Sequence, residues 1–442
     1  MGRSFAYLGV PQLKLFVGEL ALVGFLVGRP SGPLVLLLSS LVDRRPLSRV
    51  SWLLVVSLVY GLFQIARGLY LGYPVVTALQ NLVFNYYPLY LFLGLWVGAR
   101  DAHLLRQVLY PLAWLNALYG LAFVAFLSES SLTIPGSLGV PVLGQPGGSA
   151  MAIIGLLCVE RNLKKTVVPI TLNAMVLLGL QVRAEWLGFA LAICVWAVLA
   201  KRVRQMIVVL GIVALMLSVA VAVDFSLPSP RGRGGEISAR DFAARVVAPF
   251  DRASAEEISE FGGRYAGTLA WRTEWWQAIW VAVHREPVTA ALGFGYGYPL
   301  ADLVTYISGQ EIRTPHNVLL YALAYTGWIG LALFGLFQFS LVHSLWRSYR
   351  QDGQPFGLSY WALIISKAMF GNVFESPFGA IPFYILVGAS MASLLNPRVA
   401  NKQENRMRSS GNVSHIEGSV AEVPSMYSPY MAEAESPGAV RE

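Results

Sequence analysis

Charge is what this chain has least of. Asp, Glu, Lys and Arg make up 13% of its 442 residues, against roughly 25% in an ordinary soluble domain. With 55% hydrophobic residues beside so little charge, the composition argues against a soluble globular enzyme. It argues equally against a disordered chain, which is polar and charge-rich. Cysteine is nearly absent: Cys158 and Cys194 both lie inside apolar segments, so a disulfide framework and a cysteine metal site are excluded. Histidine is scarce, and no HExxH or clustered His/Cys/Asp pattern occurs, so neither a metal nor another cofactor is expected. Alternating strands of about ten residues, the mark of a membrane β-barrel, are also missing.

What the chain does have is long unbroken apolar blocks. Its mean hydropathy is +0.55, and its 12 Trp, 20 Tyr and 22 Phe suit membrane interfaces. The fold class expected is an all-α integral membrane protein. Twelve segments are long or apolar enough to count, at 12–28, 32–42, 51–66, 75–98, 105–127, 149–160, 166–182, 185–200, 206–223, 317–342, 356–372 and 379–396. The second and sixth are short enough to be half-helices. The seventh and eighth are joined so closely that a tight hairpin is expected. No cleavable signal peptide is evident at the N-terminus, which reads as the start of the first span.

The net charge of +8 would suggest nucleic acid in a soluble protein. Here the Lys and Arg sit in short loops, so nucleic acid is not an expected partner. With the N-terminus in the cytoplasm, basic clusters follow every even-numbered span, near residues 44–49, 100–106, 161–165, 201–204, 347–350 and 398–402. That is where the positive-inside rule requires them, and it puts both termini in the cytoplasm. The opposite loops contain no Lys. The largest, 224–316, holds nine Arg against eleven acids. Within it, 266–285 reads as an amphipathic helix with Leu269, Trp276, Ile279, Trp280 and Val283 on one face, suited to the membrane surface. The polar tail 397–442 is expected to be disordered and cytoplasmic. The domain plan is therefore helices over 1–223, a large outer loop over 224–316, three further spans over 317–396, and the tail.

Ionisable groups at membrane depth or at its outer boundary are costly and mark function more often than elsewhere. Three stand out, all on the outer side. Arg183 occupies the turn between the seventh and eighth spans. Arg272 falls within the aromatic face of the loop helix. His316 immediately precedes the tenth span in Thr314-Pro315-His316-Asn317. A guanidinium presents a planar fork to phosphate, and an imidazole is a natural base for a sugar hydroxyl. Each also has a bland reading, as a headgroup-snorkelling arginine or a structural histidine at a helix start. Arg264, Arg313, Glu185 and Asn317 are the further candidates for substrate contact, with Glu375 behind them and Arg67 as a headgroup anchor. Lys14, Glu19 and Lys367 are the main charges inside spans. The glycine-rich runs at 144–149 and 293–297 lack a strand–helix setting and read as close turns.

The run His316-Asn317 followed by VLLYALAYTGWIG resembles the H-N-x-x-L…G-x-x-G signature of the O-antigen ligase and polymerase superfamily. RTEWW at 272–276, Pro287 and LGFG at 292–295 resemble its R-x-x-x-W…P…L-G-x-G block, with a longer gap after Pro287. The Arg183 turn resembles the family's S-R turn, with Val182 in place of the small polar residue. The resemblance runs from about residue 50 to 396. It implies a GT-C-type membrane glycosyltransferase that takes a glycan from undecaprenyl pyrophosphate at the periplasmic face of the bacterial inner membrane. Lipid A–core is the acceptor in ligases and another lipid-linked glycan in polymerases. It further implies that arginines do the work of a metal. One dominant outer loop favours a ligase. A transporter would call for more charge at mid-membrane, and a scaffold would not need His316 on the side of the arginines.

Overall fold

The computed structural model describes residues 2–10, 15–28, 32–42, 47–101, 103–130, 132–134, 141–160, 163–223, 226, 229–230, 237–304 and 314–395. The tail 397–442, Lys14 and Arg313 lie outside them. A short 3-10 turn at Gly2–Tyr7 leads into a two-residue hairpin, β1 Gly9–Val10 antiparallel to β2 Leu15–Phe16. The helices then run α1 Val17–Gly28, α2 Pro33–Val42, α3 Ser48–Tyr70, α4 Val75–Asn81, α5 Val83–Tyr86, α6 Tyr90–Arg100, α7 Leu104–Ala125, α8 Ser149–Val159, α9 Leu163–Gly179, α10 Arg183–Leu199 and α11 Val203–Ala222. Three helices, α12 Ala239–Val247, α13 Arg252–Ile258 and α14 Gly262–Val283, form the large loop, followed by α15 Pro287–Leu292. The chain closes with α16 Val318–Asp352, α17 Phe356–Ala368 and α18 Pro377–Ser390.

Each of the twelve apolar segments contains helix among its described residues. Among the described residues, four helical stretches are long and apolar enough to cross a membrane: Ser48–Tyr70, Val75–Arg100, Leu104–Ala125 and Val318–Asp352. The first segment starts five residues later than expected, because the β1–β2 hairpin occupies the chain before Val17. Along α3 the pattern of a soluble helix is inverted. Trp52, Val56, Val59 and Phe63 form an exposed apolar stripe, while Ser51, Gly61, Gln64 and Gly68 are buried. α7 repeats this, with Leu112, Leu115 and Leu118 outside and Ala113, Ala117 and Gly120 inside. Large apolar surface facing out and small or polar groups facing in is the packing of a membrane bundle, where helices associate by close contact rather than by hydrophobic exclusion.

Close contact is most evident between α6 and α18. A Cβ at Gly94 would strike the Ile385 carbonyl, and one at Gly388 the Leu91 carbonyl. Around this pair lies one core rich in aromatics, including Tyr87, Tyr90, Phe356, Phe374, Phe383 and Tyr384. Glu19, a charge inside the first span, is held there: its carboxylate accepts from Phe16 N at 3.0 Å, Tyr87 at 2.6 Å and Tyr86 at 3.3 Å.

The tight link at residues 180–182 is present, with Gln181 at φ 54°, but its two helices part. α9 packs on α7 and α8, whereas α10 lies along α17. Gly188 permits this, since a Cβ there would come within 2.8 Å of the Leu363 carbonyl. The aromatic face of α14 also departs from expectation. Trp275, Ile279 and Val283 are fully buried, and Trp275 donates to the Leu300 carbonyl at 2.9 Å. That stripe seals against protein, and Trp280 alone of the aromatics in the expected set is exposed.

Glycines 293, 295 and 297, at φ 75°, 89° and 96°, fold the LGFGYG run against α3. Arg67 spans the contact by donating to the carbonyls of Leu292 and Gly293, at 3.2 and 2.6 Å. It caps the end of α15 from a side chain read as a headgroup anchor.

Candidate active site

α14 positions the site because Arg272 and Trp276, four residues apart, share one face. Arg272 Nη1 donates to the Phe370 carbonyl at 3.1 Å, beyond the C-terminal end of α17. Trp276 Nε1 donates to the Pro315 carbonyl at 2.6 Å, and its ring lies 6.5 Å from that of Phe370. Two side chains of one helix thus clip the His316 loop to the end of α17. Burial of Arg272 pushes its guanidinium below the ordinary range, and its buried Nε finds no acceptor among the described residues. A buried cation with a spare donor is costly unless an anion meets it.

His316 sits at φ 54°, a backbone region sparsely used by residues other than glycine and one that concentrates at functional sites. Pro315 precedes it, and Asn317 caps α16 by accepting from Leu319 N and Leu320 N at 3.0 and 3.1 Å. The imidazole meets the edge of Trp271, with centroids 6.3 Å apart at 82°. Its pKa is lowered to about 4, first by burial and then by the positive field of Arg272, with the Asn372 side chain acting against both. The ring is therefore neutral at pH 7. Since Asn317 Oδ1 is committed to two backbone donors, Asn317→Ala is expected to cost about 1 kcal/mol of stability. Asn317→Asp is expected to retain it, as thermal unfolding of the two variants would show.

Arg272 and His316 face one cavity of about 450 Å³. Its wall also takes in Gly147 and Gly148 before α8, Val182, Ala184 and Glu185 at the start of α10, and Lys367, Phe370, Gly371 and Asn372 at the end of α17. Glu185 pairs with Lys367 at 2.5 Å. Arg183 stands apart from this wall. Its Nη2 donates to the Tyr265 carbonyl at 3.1 Å and its Nη1 reaches the Arg245 carbonyl at 3.5 Å. The residues it grips belong to a buried network of their own. Arg245 lies 3.9 Å over the Tyr265 ring, and the Tyr265 hydroxyl donates to Asp241 at 2.8 Å. Arg183 thus ties the large loop to α10, and it lies within the electrostatic field of Arg272.

The Arg264 side chain lies outside the described residues, as does Arg313. Glu375 is adjacent but does not line the cavity. Its carboxylate oxygens have no partner among the described residues, and burial raises its pKa to about 7. Asn372 and Lys367 are among the cavity residues that were not sequence candidates for the site. Asn372 carries no sequence signal beyond its loop. Lys367 was visible as a charge in an apolar segment, but nothing local showed that it turns toward Arg272 and His316.

No curated protein matches the chain. Residues 168–335 match the family model described as O-antigen ligase. The matched stretch runs from α9 into α16 and contains Arg183, Glu185, Arg272 and His316. It thereby includes both arginines and the histidine that the sequence motifs single out, and two of these three line one cavity. Over residues 168–335 the chain is therefore similar to the O-antigen ligase family.

Proposed function

We propose that the protein is an O-antigen ligase, transferring a glycan from undecaprenyl pyrophosphate to lipid A–core at the periplasmic face of the inner membrane. The observation that carries this reading is the placement of Arg272 and His316 on one cavity wall within the matched domain. The other lining segments favour the same side. Residues 147–148, 182–185 and 370–379 belong to, or border, the loops that charge distribution assigns to the outer face.

In this mechanism the acceptor hydroxyl attacks the anomeric carbon while His316 takes its proton. The carbon–oxygen bond to the pyrophosphate breaks in the same displacement, and the configuration inverts. Arg272 holds the negative charge that accumulates on the leaving pyrophosphate. Arg183 secures α14 and adds its field from behind. Donor binding also readies the base. An anion beside Arg272 offsets the field that keeps the His316 pKa low, so the imidazole becomes a better proton acceptor once the pyrophosphate is bound.

The test is transfer by purified full-length protein, with undecaprenyl-pyrophosphate glycan as donor and EDTA present. Product that requires lipid A–core is the expected result, and because side-chain cations carry the phosphate charge, the chelator should not reduce it. Lengthened lipid-linked glycan without lipid A–core would instead identify a polymerase. No product from folded protein and a matched donor would remove both.

A further inference from the structure

The site as read from the family motifs has two arginines for the donor, yet Arg183 does not line the cavity. A second cation does, and it is Lys367. We propose that Lys367 is the second phosphate-binding cation of this cavity, held in place by Glu185 until the donor's pyrophosphate draws it away. The inference rests on the proposed donor and adds the residue that completes its binding.

Four features carry it. First, Lys367 and Arg272 are fixed to the same end of α17: Lys367 lies in its last turn, and Arg272 donates to Phe370 just beyond. Second, the ammonium contacts Glu185 at 2.5 Å, with the two side chains only 15% and 5% exposed. Both residues line the cavity, so the pair is reachable from it. Third, each charge sits where its helix favours it, Glu185 in the first turn of α10 and Lys367 in the last turn of α17. The lysine stem packs closely over Gly188, where a Cβ would come within 3.1 Å of Lys367 Cγ. Fourth, an ammonium has three donors, and this contact with Glu185 uses one. A purely structural pair gains little from being buried, because apolar residues of similar size often serve as well. A lysine at a phosphate site acts as a mobile point charge, which suits exchange between a carboxylate and an incoming anion.

Equilibrium binding to the purified full-length protein tests this, with undecaprenyl pyrophosphate and undecaprenyl monophosphate as probes. Wild type should prefer the pyrophosphate. Lys367→Met should weaken pyrophosphate binding by about 10- to 100-fold and erase that preference. Lys367→Arg should keep part of it. Glu185→Gln should bind the pyrophosphate several-fold more tightly, a gain that misfolding cannot imitate. The neutral double variant Glu185→Gln/Lys367→Met should behave as Lys367→Met, and it decides the matter if the single lysine variant does not fold. Unchanged binding by the lysine variants, or a loss in Glu185→Gln equal to that in Lys367→Met, would overturn the role of Lys367 and leave the donor reading standing. A wild type that does not discriminate the two lipids would instead remove the donor reading itself.

Discussion

Replacing His316 by asparagine should lower glycan transfer by about 10²- to 10⁴-fold, the usual contribution of a positioned general base. Asparagine is the cleaner substitution because it tolerates the positive φ found here and cannot accept the proton. Alanine at the same φ would add backbone strain to the chemical loss. Thermal unfolding should stay close to wild type for His316→Asn, and full transfer by that folded variant would refute the base assignment. The pH profile gives a second readout. Neutral imidazole is the active form, and in the free site its pKa is about 4, so kcat/KM should hold down to mildly acidic pH and fall only as pH approaches that value. A solvent-exposed histidine would lose half its neutral form near pH 6.5. With donor bound, the pyrophosphate offsets the field of Arg272. The acid limb of kcat should therefore lie at higher pH than that of kcat/KM.

Arg272→Met should reduce transfer by about 10²- to 10³-fold, the effect of removing one preorganised donor from a developing anion. Two other consequences separate this from a general loss of structure. The first is a modest fall in stability of about 1–2 kcal/mol, because the Phe370 carbonyl loses its charged donor. The second concerns His316. Arg272 lowers the imidazole pKa through its charge, so its removal should move the acid limb of residual kcat/KM upward. Arg272→Lys should keep that limb low while recovering only part of the rate, since an ammonium supplies the charge but not the planar fork. An Arg272→Met protein with wild-type transfer would remove the arginine from the mechanism.

Much of the architecture was legible because its physics is local. Twelve apolar segments fall on helices since a chain leaving water must satisfy its backbone within each segment. Asn317, read as a candidate for substrate contact, proved in the structure to cap α16. Arg272 and His316 were found for a related reason: a charge in an apolar face and a histidine between proline and a helix cap are anomalies within a few residues of themselves.

Other features depended on elements distant in sequence. The aromatic stripe of α14 suggested a membrane surface, but its periodicity is the same whether lipid or protein covers it, and here protein does. Arg67 and Glu19 looked alike as charges near or within spans, until partners at Leu292, Gly293, Tyr86 and Tyr87 gave each a structural task. Arg183 kept its motif position while its guanidinium turned to the Tyr265 carbonyl.

By itself the sequence pointed to a helical membrane protein, to where its apolar segments lie, and to three outer side chains that stand out, Arg272 and His316 among them. Only the tertiary structure decided that those two share a cavity, and that Lys367 and Glu185 join them from α17 and α10. The physical reason is range. Hydropathy, capping and charge bias act over one or two helical turns. A site assembled from α10, α14, the His316 loop and α17 exists only where close contacts such as that at Gly188 set the helices against one another.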